Sequence, residues 1–146
     1  MLNNSRFNEK GSPTIYLGQD IEVALSEVQF PQYFNATTSF GVEVNLQFIL
    51  DLSDTSKLSK SFGINKKLFR STWKNFNNIR IKYYTQYLSD HLRSLPIEGF
   101  LYESVQRPGH KCLCLFPDKM IKGSSLKIIG NYKGIDHADL FYDGSI

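Results

Sequence analysis

The sequence is short of the features that most simply announce a function. No run of apolar residues approaches the length needed to cross a bilayer, so no membrane association is expected. Residues 1–10 are polar rather than basic and then apolar, so no secretory leader is expected either. The two cysteines, Cys112 and Cys114, sit two apart in the strand-like run Lys111 to Phe116. Alternation puts both on one face, a poor placement for a mutual disulfide. With no other ligand cluster nearby, zinc is not favoured, and buried thiols in a reducing cytoplasm are the expectation. His91, His110 and His137 have no ligand spacing, which argues against a metal site and against a histidine-based triad. Internal repeats and low-complexity segments are absent. The formal charge of +3 suits an anionic small molecule but is too weak to argue for direct nucleic-acid contact.

What remains is an ordinary globular composition, 41% hydrophobic and 21% charged, in 146 residues. That length reads as a single domain, 1–146, able to bury a proper core. Thr14–Leu17 is an apolar strand former between Pro13 and Gly18. Asp20 precedes a helical pattern with Ile21, Ala24, Leu25 and Val28 on one face, Glu27 at its margin and Glu22 toward solvent. A loop from Pro31 to Ser39 leads to Val42, Val44, Leu46 and Phe48, alternating with polar residues and closing with Ile49-Leu50, which predicts one strand. Ser53 or Asp54 is a candidate cap for a short helix ending near Phe62. Residues 64–95 read as helical in pieces: Leu68, Thr72, Trp73 and Phe76 first, then Tyr83, Tyr84, Tyr87, Leu88, Leu92 and Leu95 before Pro96. Strands follow at Gly99–Ser104, Lys111–Phe116 and Leu126–Ile129, the first two joined by a turn at Arg107-Pro108-Gly109. The tail from Gly134 to Ile146 is expected to be loose. Helices grouped in mid-chain among many strands predict an α+β fold, with mixed, mainly antiparallel sheets and a helical insert.

Arg6, Tyr16 and Glu27 fall in the loop, strand and helix that open the chain. A cation, an aromatic ring and a carboxylate brought to one cleft suit a phosphorylated nucleoside. These stretches resemble the signature of the RES domain family. Ser5-Arg6-Phe7-Asn8, Gly11-Ser12-Pro13, Ile15-Tyr16-Leu17 and Ala24-Leu25-Ser26-Glu27-Val28 match its opening motifs in order. Phe48 to Asp54, Trp73, Thr85-Gln86, Gly99 to Val105 and Cys112 to Pro117 match later ones, so the resemblance covers roughly residues 5–130. Relatives usually carry a further stretch ahead of the Arg-containing loop, and this start gives the expectation that Arg6 lies on a mobile segment.

The resemblance implies a fold like that of ADP-ribosyltransferase toxins. It also implies the toxin half of a bacterial, cytoplasmic toxin–antitoxin pair that depletes NAD by cleaving its nicotinamide–ribose bond, by hydrolysis or phosphorolysis. It assigns Glu27 as the catalytic carboxylate. Arg6 would grip the pyrophosphate, Tyr16 would stack on nicotinamide, and Ser104 would bond the nicotinamide ribose or amide. NAD is then a substrate, with no cofactor or metal needed. The implied partner is a helix-turn-helix (Xre-type) antitoxin, and a homodimer is left open. Protein ADP-ribosylation and a degenerate, non-catalytic antitoxin-binding domain are the alternatives. Without the resemblance, Glu27 reads as a solvated helix residue, Tyr16 as a strand aromatic, Ser104 as a strand-end hydroxyl and Arg6 as a surface charge.

Overall fold

Strand β1 (Ile15–Gly18) runs straight into helix α1 (Ile21–Glu27), and the two form the edge on which the rest is built. The computed structural model describes residues 6–8, 11–28, 39–54, 56 and 84–131. The expected helices across 57–83 with Trp73, the loop at 31–38 and the tail at 134–146 lie outside the described residues. Asp20 caps α1 as expected, its carboxylate accepting the Val23 N–H at 2.9 Å.

The strands β2 (Phe40–Asn45), β3 (Ile49–Asp51), β4 (Gly99–Glu103), β5 (Lys111–Leu115) and β6 (Ser125–Asn131) complete two sheets. One has the order β1-β5-β4-β3, antiparallel except for the parallel β3–β4 pair; the other is the antiparallel pair β2–β6. The described fold is therefore α+β with mixed, mainly antiparallel sheets.

The single strand expected over residues 42–50 is instead two, and they belong to different sheets. Alternation ends at Asn45 because the next backbone groups are taken by a distant side chain. Glu98, only 1% exposed, accepts the N–H groups of Gln47 and Phe48 on one carboxylate oxygen, at 2.8 and 2.9 Å. Its other oxygen accepts the Ile121 N–H at 3.2 Å, and its own N–H donates to the Phe48 carbonyl. Burial would raise the Glu98 carboxyl. Hydrogen bonds to the carboxylate, the N–H groups of Phe48, Ile121 and Gln47 among them, outweigh burial and hold it below its ordinary value of 4.5.

The core lies on one face of the larger sheet. Phe100, Tyr102, Cys112 and Cys114 project there by alternation and meet Phe7, Val23, Leu52 and Phe116. Helix α2 (Tyr84–Ser94) covers them, ending before Pro96 as its spacing predicts. Its buried face is more polar than hydropathy suggests: Thr85, Gln86 and Ser89 are buried with Leu92, while Tyr87 is 61% exposed. Arg93 ties α2 to the entrance of β1, donating to the Pro13 carbonyl and to Thr14 Oγ1, and its other nitrogen pairs with Asp118 at 2.9 Å.

The opposite face, with Leu17, Leu101 and Leu113 in one cross-strand row, borders a cleft of about 560 Å³ closed by β2 and β6. Ile21, Ala24, Leu25 and Val28, which share one face as their spacing predicts, line this cleft. The helix turns Val23 to the core, and Glu27, one turn later, shares Val23's face.

Gly18 sets the approach of α1 to β1. A Cβ there would meet the Ala24 backbone nitrogen at 2.6 Å, so a methyl can enter only if the helix shifts. Gly18→Ala is expected to cost about 2 kcal/mol of stability and to displace the helix that carries Glu27. Thermal melting checks this, and an unchanged melting temperature would contradict it.

Candidate functional site

Arg6, Phe7 and Asn8 are held from three sides. Phe7 is fully buried, its ring edge-on to Phe100 and Tyr102 at centroid distances of 5.1 and 4.8 Å. Thr85 Oγ1 donates to the Arg6 carbonyl, and Gln86 Nε2 donates to the Asn8 carbonyl at 3.3 Å. Tyr16 completes the fastening: its hydroxyl accepts the Phe7 N–H at 3.1 Å and donates to Asn8 Oδ1 at 2.8 Å. The expected loosely held Arg6 is thus replaced by one anchored beside the core and 7% exposed. Thr85 and Gln86 are polar on a buried helix face because they satisfy backbone carbonyls that would otherwise be buried unpaired.

The Arg6 guanidinium lies over the Phe7 and Tyr102 rings, 5.0 and 5.5 Å from their centroids. Half-buried Glu27 acts on the same Tyr102. Ser104, fully buried at the end of β4, donates its hydroxyl proton to Glu27 Oε1 at 2.6 Å. Ser104 Oγ itself accepts the Arg107 N–H at 3.0 Å. Arg107 in turn places its guanidinium on the Glu22 carboxylate.

Cys112 lies where these groups meet. Burial, then the Glu27 charge, push its thiol up to about 12; Tyr102 and Ser104 hydrogen bonds and the Arg6 charge oppose that and do not prevail. Tyr102 is likewise pushed above its ordinary value, first by burial and then by the charges of Cys112 and Glu27. Neither group is a nucleophile or base near neutrality. They form the inert wall behind a cation and a carboxylate.

Of the residues expected at the site, Arg6, Glu27 and Ser104 come together around Tyr102 and Cys112. Tyr16 reaches that group through the segment it fastens. Tyr16 is 36% exposed, and its ring stacks on Phe7 at a centroid distance of 6.4 Å. Ser104 was expected to bond the substrate, but its proton goes to Glu27. Glu22, expected to stand apart in solvent, is tied to Arg107 and through it to Ser104. Tyr102, two residues before Ser104 on one strand, was legible in retrospect, since alternation puts both on one face. Arg107 carried no such signal, because only the folded turn shows where it reaches.

Among the described residues, no group of three or more His, Cys, Asp or Glu is placed to hold a metal ion, and no helix is long and apolar enough to cross a membrane. The geometry offers a carboxylate with one oxygen fixed by a donor and the second accepting no hydrogen bond among the described residues, and a buried guanidinium that shares Tyr102 and Cys112 as neighbours. Such a pair can face a developing positive charge while holding an anionic group nearby. No curated protein matches this chain. The family profile of the RES domain matches residues 1–137, a span that holds every residue of the cluster, and this chain belongs to the RES domain family.

Proposed function

We propose that this domain consumes NAD by breaking the bond between nicotinamide and ribose, as the toxin of a toxin–antitoxin pair. The observation that carries the reading is the Glu27 carboxylate held at 2.6 Å by Ser104 within a RES domain. Nicotinamide leaves as a neutral molecule, so little acid catalysis is required. The barrier lies in positive charge developing at the anomeric carbon, as in glycoside hydrolysis. A carboxylate facing that carbon stabilises the transition state more than the ground state.

In this reading Ser104 fixes Oε1 and leaves Oε2 of Glu27 to accept from the ribose hydroxyls and face the charge. Arg6 supplies the cation for the pyrophosphate. Tyr16 holds the Arg6 segment and offers its exposed ring edge to the nicotinamide. Nicotinamide departs with the electron pair of the C–N bond, and water or phosphate then forms a new C–O bond at the anomeric carbon, attacking water releasing its proton to solvent. The partner is a helix-turn-helix antitoxin that covers this site, a proposal that rests on the family alone.

Incubating the purified chain with NAD, with and without phosphate, and weighing the products tests the reading. Free ADP-ribose or its 1-phosphate is expected. ADP-ribose attached to protein would favour a transferase, and intact NAD would favour a non-catalytic domain. Co-expression with the DNA-binding protein of an adjacent gene is expected to yield a complex and relieve growth arrest; neither outcome would remove the antitoxin proposal.

A further inference from the structure

We propose that Glu22 and Arg107 form a positioning pair that locks the Ser104 hydroxyl as the donor to Glu27. The kinetic part of this proposal rests on the NAD-cleaving reading; the geometric part does not.

A serine hydroxyl carries one proton and rotates freely, so its neighbours decide where that proton points. Arg107 N–H occupies one side of Ser104 Oγ at 3.0 Å. Two donors cannot face each other, so the Ser104 proton is directed to Glu27 Oε1 at 2.6 Å. A carboxylate can only accept, so Glu27 decides which way the proton points, and the Ser104 oxygen that carries it is fixed in place by the Arg107 N–H.

Two sets of ties hold it. Within the turn, Ser104 N–H donates to the His110 carbonyl at 2.8 Å and His110 N–H to the Arg107 carbonyl at 3.1 Å. Gly109, at φ 85, lets the chain reverse there and gives its N–H to Glu103 Oε1 at 2.9 Å. Across to α1, the Arg107 side chain binds Glu22 Oε2. Glu22 and Glu27 ride the same short helix, and Ser104 and Arg107 the same turn. The helix and the turn are thus joined twice, at Ser104–Glu27 and at Arg107–Glu22, and neither can rotate against the other. The other groups that feel the Glu27 charge, Tyr102 and Cys112, stand on the core side. The Glu22 side chain is 45% exposed, so the ion pair adds little to global stability and its effect is on geometry.

The test uses the full chain with Glu22→Gln, Arg107→Ala and the exchanged double variant Glu22→Arg/Arg107→Glu. Glu43→Gln on β2 serves as the control. NAD turnover and hydrogen exchange of the residue-107 amide are both read. Each single variant is expected to lose about tenfold in kcat, with KM changed less than about twofold and a melting temperature within about 2 °C of the parent. The residue-107 amide should exchange about tenfold faster in both, and the exchanged variant should regain most of both losses. Parental kcat and amide protection in the single variants would overturn the proposal, as would losses that only follow the melting temperature. If the parent releases no nicotinamide, the NAD reading fails and amide exchange decides alone. Faster exchange in the singles, restored in the exchanged variant, then upholds the pair, and unchanged exchange refutes it.

Discussion

Glu27→Gln is expected to lower NAD turnover by at least two orders of magnitude, roughly 3 kcal/mol of transition-state stabilisation. The amide keeps the side chain's shape and an oxygen for the Ser104 hydroxyl, but removes the negative charge opposite the anomeric carbon. NAD affinity should move little, because the lost interaction is strongest in the transition state. The melting temperature should also hold, since Glu27 is half-buried with a single hydrogen-bond partner among the described residues, Ser104. Glu22→Gln is not a neutral control, because Glu22 is bound to Arg107; Glu43→Gln, exposed on β2 opposite Lys127 of β6, is. Turnover by Glu27→Gln at the parental rate would remove Glu27 from the chemistry.

Glu98→Ala is expected to give the largest loss of stability. It would strip acceptors from the N–H groups of Gln47, Phe48 and Ile121 at once. These bonds are part-buried on exposed residues, so about 1–3 kcal/mol for each unpaired donor is an upper bound. Partial access of water reduces the sum, so a loss of about 3 kcal/mol is expected, or roughly 10 °C in melting temperature. The pH dependence has a definite sign. Because the folded carboxyl lies below its ordinary value of 4.5, its contribution is present above that pH. The contribution is lost as pH falls through the lower folded value. The parent should therefore lose stability in acid more steeply than Glu98→Gln, as denaturant midpoints measured across that range will register. Parallel midpoints would show that the carboxylate does not clamp the crossover.

What the sequence made legible follows the range of the interactions involved. Strand β1, the Asp20 cap and the end of α2 at Pro96 depend on neighbours a few residues away, and each was readable. The break between β2 and β3 was not, because the carboxylate that draws the chain out of the first strand lies about 50 residues downstream. On α1 the shared face of the apolar stripe was readable, but what it packs against was not. That stripe borders the cleft, and Glu27 shares the face of Val23, one turn earlier. On α2, Thr85 and Gln86 look like surface residues until their carbonyl partners at Arg6 and Asn8 are known. The site shows the same division. Arg6, Glu27 and Ser104 were recognisable as motif positions, whereas the Arg107–Glu22 tie depends on a turn meeting a helix 85 residues earlier.

Proton NMR of NAD during incubation with the purified, folded chain tests the central claim most directly, because pyridinium and free nicotinamide ring protons are distinct. The account predicts steady replacement of the pyridinium signals by those of neutral nicotinamide, one released for each ADP-ribosyl group transferred to water, phosphate or protein. NAD signals that stay unchanged in the presence of the folded chain would contradict it.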